Sequence, residues 1–138
     1  MSFEKMNDLN VNDKERSLLI LYNFNDNEVI MVKKICSMFG IKDIEVLSKT
    51  NANSTVQDII NKQIDNDCID GINQKSMIFN NIEPIKASAF IDSLKKFRIT
   101  RPLIAAVTEH NINWTLNILI SHLLEERSAI KSGKTIKH

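Results

Sequence analysis

Leu18, Leu19, Ile20, Leu21 and Tyr22 form an unbroken apolar run, the pattern of a strand covered on both faces. Asn23, Asn25 and Asp26 follow with turn and capping side chains. Val29, Val32, Ile35, Cys36 and Phe39 then recur at helical spacing until Gly40 stops them, which predicts an amphipathic helix with an Asn start and a Gly end. A second strand, about 44–48, is interrupted by Glu45 and is placed at a sheet edge. Asn53, Ser54 and Thr55 offer caps to a short helix striped by Val56, Ile59, Ile60 and Ile64, and the polar stretch 65–74, with Gly71, reads as a linker.

The second half repeats the order. Met77, Ile78 and Phe79 open a strand that stops at Asn80 and Asn81, and Pro84 suits the first turn of a helix whose buried side is Ala87, Phe90, Ile91, Leu94 and Phe97. Leu103 to Val107 lacks polar alternation, implying cover on both faces, with Ala105 and Ala106 admitting a close helix. Asn111 or Asn113 caps a last helix that faces the sheet through Leu116, Leu119, Ile120 and Leu123. Leu21, Tyr22 and Asn23 align with Ile78, Phe79 and Asn80. After a one-residue slip, Phe39, Ile41, Thr50 and Asn53 align with Phe97, Ile99, Thr108 and Asn111.

This order predicts an α/β domain of two pseudo-repeated βαβα units, with a mostly parallel four-stranded sheet, order 2-1-3-4, between helical layers. A ferredoxin-like α+β domain is the alternative, but it joins its halves by a hairpin, and here a helix-patterned segment intervenes. The boundaries are a mobile leader 1–16, one domain 17–128 with halves 17–64 and 76–128, and a basic tail 129–138. At 138 residues, one core is expected.

Composition narrows the function classes. A net charge of +1 gives no general drive toward nucleic acid. No apolar run approaches the roughly 20 residues needed to span a bilayer, and no secretory signal pattern opens the chain, so a cytoplasmic location is expected. Cys36 and Cys68 lack disulfide or zinc spacing, and His110, His122 and His138 are scattered, so neither metal nor cofactor is implied. Gly40, Gly71 and Gly133 are isolated, which excludes a glycine-rich phosphate loop. A receiver-like phosphoacceptor is disfavoured, because the strand ends carry asparagines in place of a carboxylate cluster and no fifth strand brings a lysine. The abundance of Asn, Ile and Lys suggests an AT-rich bacterial source.

The segment Arg101-Pro102-Leu103-Ile104-Ala105-Ala106-Val107-Thr108, continued by Asn111, Asn113-Trp114-Thr115-Leu116 and Leu123-Leu124-Glu125-Glu126, resembles a bacterial and archaeal family known only as domain of unknown function 3783. The resemblance is weaker over Leu18 to Asn51, whose start, Leu18 to Phe24, also looks like that family's first strand. The resemblance implies no activity.

A parallel sheet would gather Asn23, Asn80, Thr108, His110 and Asn111 at one rim of strand C-terminal ends, where open α/β sheets bind ligands, with Trp114 roofing that rim or packing at its edge. Turn and cap roles also account for each asparagine. The expectation is a non-enzymatic module binding a small molecule or a protein at that rim, with homodimerisation through the edge strand or last helix as an option. The alternative is an enzyme acting on a small polar substrate through Glu109, His110 and Thr108.

Overall fold

A computed structural model of the chain describes residues 16–132. β1 (Leu18–Tyr22) is buried at all five positions. Asn23 turns the chain in the left-handed region, φ 65, which Asn reaches more readily than most residues. Asn25 caps α1 (Asp26–Phe39): its side chain accepts from the Glu28 N–H at 2.8 Å while the Glu28 carboxylate accepts from the Asn25 N–H at 3.0 Å, a closed capping box. Gly40, φ 73, ends that helix. β2 (Ile44–Leu47), a 3-10 turn (Lys49–Asn51) and α2 (Val56–Ile60) complete the first half. β3 (Ser76–Asn80), α3 (Pro84–Lys96), β4 (Leu103–Ala106) and α4 (Leu116–Ser132) form the second.

The strand order is β2-β1-β3-β4, as the sequence predicts. The sheet is mixed, however, and not mostly parallel. β1 pairs with β2 and β3 with β4 in parallel, but β1 and β3 are antiparallel, with Ile20 opposite Ile78 and Tyr22 opposite Ser76. The connection from β2 to β3 sets this direction. The apolar stripe of α2, expected to reach Ile64, is broken at Lys62, φ 63, leaving five helical residues. Five residues rise about 7.5 Å along a helix, against about 17 Å for a five-residue strand, so α2 carries the chain less than half the way back. The segment 61–75 that follows is fastened to Thr50, past the end of β2, and to Tyr22, at the end of β1, and so delivers the start of β3 beside the end of β1. The ferredoxin-like alternative fails too, because β2 and β3 are not neighbours and are joined by no hairpin.

Each face of the sheet carries a helical layer. Leu18, Ile20, Tyr22, Ile78 and Leu103 pack with Val56 and Ile59 of α2 and Leu116, Leu119 and Ile120 of α4. On the other face, Leu19, Leu21, Met77 and Phe79 meet Val32, Ile35 and Cys36 of α1 and Phe90 and Leu94 of α3. At about 25 cal/mol per Å², burying such side chains is the main drive to fold.

The segment between the halves is fastened down along its length. The Asn51 side-chain amide donates to Asp65 O (3.0 Å), the Cys68 N–H to Thr50 O (3.0 Å), the Tyr22 hydroxyl to Ile72 O (2.8 Å), and the Ile72 N–H to Asn117 Oδ1 (3.0 Å). Of the expected leader, residues 1–15 lie outside the described residues, as do 133–138 of the expected tail, with His138, Lys134 and Lys137. Arg16 is held firmly. Its guanidinium spans both Asp43 carboxylate oxygens (2.6 and 2.9 Å), reaches Glu45 (3.2 Å) and donates to Ile60 O at the end of α2 (2.6 Å).

Candidate functional site

The antiparallel centre splits the rim expected from a parallel sheet. Asn23 sits at the end where β3 begins, donating through its side-chain amide to Asn73 Oδ1 at 2.9 Å. Asn80, Thr108, His110 and Asn111 lie at the opposite end, where β3 and β4 finish. Asn80 is buried and donates to Arg16 O at 2.7 Å, which fixes the entry of the chain into β1.

The turn after β4 is closed by its own side chains. Asn111 Oδ1 accepts from the Thr108 N–H (2.9 Å), Asn111 Nδ2 donates to Ala106 O (3.1 Å), and Thr108 Oγ1 accepts from the N–H groups of His110 (3.1 Å) and Asn111 (3.2 Å). These are turn roles. The Thr108 oxygen is committed to two backbone donors. The His110 ring lies edge-on to Trp114, centroids 5.2 Å apart, and His122 stacks on the same indole at 4.5 Å. Trp114 is half-buried, packed on the α4-side core and flanked by two exposed imidazoles. The sequence reading missed His122 as part of this group. His110 and Trp114 precede α4, so no helical periodicity in the sequence announced the group.

A second feature escaped the sequence reading. The apolar pattern of β4 implies cover on both faces, yet this strand, outer as the predicted order has it, is only partly covered: Leu103 is buried, Ile104 and Ala105 are half-buried and Ala106 is exposed. α3 and α4 lean on it without closing over it. Between β4 and α3 lies a groove of about 410 Å³ lined by Ile82, Ala87, Ile91, Arg101 and Ile104. Between β4 and α4 lies another of about 470 Å³ lined by Pro102, Leu103, Leu123, Glu126, Arg127 and Ile130. The other edge is guarded. β2 carries Glu45, beside the Arg16–Asp43 pair, and charge on an edge strand opposes pairing with another chain. β4 has no charged residue.

Electrostatics elsewhere is structural. The Arg16 guanidinium beside Asp43 holds that carboxyl below the usual range. Burial pushes the Cys36 thiol up to about 12, so it is unreactive at neutral pH. Cys36 and Cys68 are both free and buried, and no cluster of potential metal ligands occurs among the described residues. Nor is any helix among them long and apolar enough to cross a membrane.

Burial also raises the Tyr22 phenol to about 12, with the nearby Cys68 adding to it. Its unfolded value is about 10, so the neutral folded form contributes stability that is complete below pH 10 and lost as pH rises toward 12. A urea midpoint that falls across this window in the native chain, and falls less in Tyr22→Phe, is the expected result. Equal slopes would show that Tyr22 ionises as freely in the fold as outside it.

No curated protein and no solved structure matches the chain. A family correspondence spans β3, α3, β4 and α4 as far as Ile130, and so includes the open edge, the closed turn and Trp114: residues 75–130 match the family described as Domain of unknown function (DUF3783).

Proposed function

We propose that this domain is a non-enzymatic binding module that takes an extended, apolar segment of a protein partner by strand addition at β4. The observation that carries this reading is the contrast between the two edges: β2 is charged and braced, β4 is uncharged and lies between two apolar grooves. Strand addition draws affinity from main-chain hydrogen bonds, and selectivity from pockets that receive alternate side chains. One groove lies on each face of β4, where alternate side chains of an added strand would fall.

Hydrogen exchange read by NMR tests this. The Leu103 N–H donates to Lys75 O (3.0 Å) and the Val107 N–H to Phe79 O (2.9 Å). Residues in a parallel ladder alternate sides, so the Ile104 and Ala106 amides face away from β3. They should gain protection when a peptide with the sequence of residues 101–109 is added, or be protected already if the edge is occupied. Free-chain exchange at both amides under every condition would overturn the reading.

We also infer that the halves descend from one duplicated unit. Support comes from paired features. Asn23 and Asn81 are left-handed after β1 and β3, and Gly40 and Arg98 are left-handed after α1 and α3. The Ser48 and Thr108 N–H groups each donate to an asparagine three residues on. Val56 and Gln57 donate to Trp114 O and Ile112 O, while Leu116 and Asn117 donate to Ser54 O and Ala52 O. These pairs match Ser48 and Asn51 with Thr108 and Asn111, a shifted register from the Thr50 and Asn53 alignment of the sequence. An experimental structure whose halves fail to superpose with Thr55 on Thr115 would refute the duplication.

A further inference from the structure

The free part of the β4 edge is short and has definite ends. Pro102 brings no N–H, and the Thr108 N–H is already taken by Asn111 Oδ1 at 2.9 Å. Between them, Ile104 and Ala106 are the residues whose backbone faces outward; Ala106 O already accepts from Asn111 Nδ2 at 3.1 Å and offers its second lone pair. This window is centred on Ala105. A two-fold axis through Ala105 would set Ile104 of one chain opposite Ala106 of the other, the hydrogen-bonded pairing of an antiparallel ladder, and Ala105 opposite Ala105 in the close, non-bonded position that suits a small side chain.

The same register tests the flanking charges. Exposed Arg101, before the strand, and exposed Glu109, in the closed turn after it, lie just past opposite ends of the window, so the two-fold gathers opposite charges at both ends of the pairing. On the α4 face, Leu103 falls opposite Val107, both already part of that core. Ile130, 59% exposed, rims the groove with Glu126 and Arg127, opposite charges that a symmetry mate can answer. The edge is thus complementary to itself in hydrogen bonds, side-chain size and charge.

We propose that the occupant of the β4 edge is a second copy of this chain, forming a two-fold dimer with one continuous eight-stranded sheet across the Ala105 axis. The inference rests on the strand-addition reading and names its partner. Closed two-fold pairing is the commonest way for a chain to join its own copy, and a covered edge ends the hazard that an uncharged one presents.

Sedimentation equilibrium on the full chain tests it. The native protein should sediment at twice the monomer mass at micromolar concentration. Ala106→Pro removes an outward N–H and leaves the β3 ladder intact, so it should give monomer with an unchanged circular dichroism spectrum. Arg101→Glu places like charges at both ends of the pairing and should weaken association about tenfold or more, and adding Glu109→Arg to it should restore the dimer. This charge swap touches exposed residues only, and it decides the matter by itself if the proline variant does not fold. A dimer indifferent to all three variants uses another face and overturns the proposal. A monomer at millimolar concentration also overturns it. In that case the 101–109 peptide separates the two readings: protection of the Ile104 and Ala106 amides by the peptide leaves strand addition standing, and their continued free exchange removes both.

Discussion

Phe90→Ala should cost about 3–5 kcal/mol, the usual loss on emptying a buried aromatic site. Phe90 is fully buried on the α3 face of the sheet, edge-on to Phe39 and to Phe79 with centroids 5.9 Å away in each case. It links α1, α3 and β3, so its removal leaves a void that three elements would have to move together to fill. Edge-to-face contacts add about 0.5–1.5 kcal/mol beyond area burial. Denaturant titration should show a lower midpoint with an unchanged slope, and Phe90→Leu should recover much of the loss. A cost below about 1 kcal/mol for the alanine variant would mean that the layer collapses freely, against the close packing expected of a core.

Gly71→Ala should cost about 3 kcal/mol, at the upper end for overpacking, although it adds a single carbon to a half-buried position. A Cβ there would overlap Lys49 O and lie 2.9 Å from the Lys49 C and Cα atoms. Those are backbone atoms of the 3-10 turn, and they have no rotamer by which to step aside. The strand of chain carrying Cys68 and Ile72 would lift instead, straining the Cys68–Thr50 and Tyr22–Ile72 hydrogen bonds. The loss should therefore come with faster labelling of the Cys68 thiol by a disulfide reagent, whereas Phe90→Ala should not have that selective effect. An unchanged midpoint together with unchanged labelling would show that the contact relaxes at no cost.

Much of this molecule was legible in the chain because its signals are local. The run Leu18 to Tyr22 could only be a central strand, since five consecutive apolar side chains need cover on two faces. Asn25, Gly40 and Pro84 marked helix ends through capping chemistry that acts within a few residues. The segment Arg101 to Glu126 pointed to the family for the same reason, being a pattern read along the chain.

The direction of β3 was decided by tertiary structure. One left-handed residue, Lys62, ended α2 early, and the segment after it is fastened to Thr50, past the end of β2, and to Tyr22, at the end of β1, so β3 starts there. A stripe of apolar residues does not state where backbone geometry will stop a helix. The shared rim fell with that direction, leaving Asn23 at one end of the sheet and Asn80, Thr108, His110 and Asn111 at the other. The order 2-1-3-4 already put β4 at an edge, but how far its faces are covered was hidden. An apolar strand buried on both faces and one waiting at an open edge carry the same side chains, and only the positions of α3, α4 and the neighbouring strands distinguish them. By itself the sequence determined which segments are strands and helices, and which of their side chains seek cover, because periodicity and capping are properties of neighbouring residues. Only the tertiary structure decided how those segments run relative to one another and which faces stay open, because those depend on where each connection is fastened by residues distant in the chain.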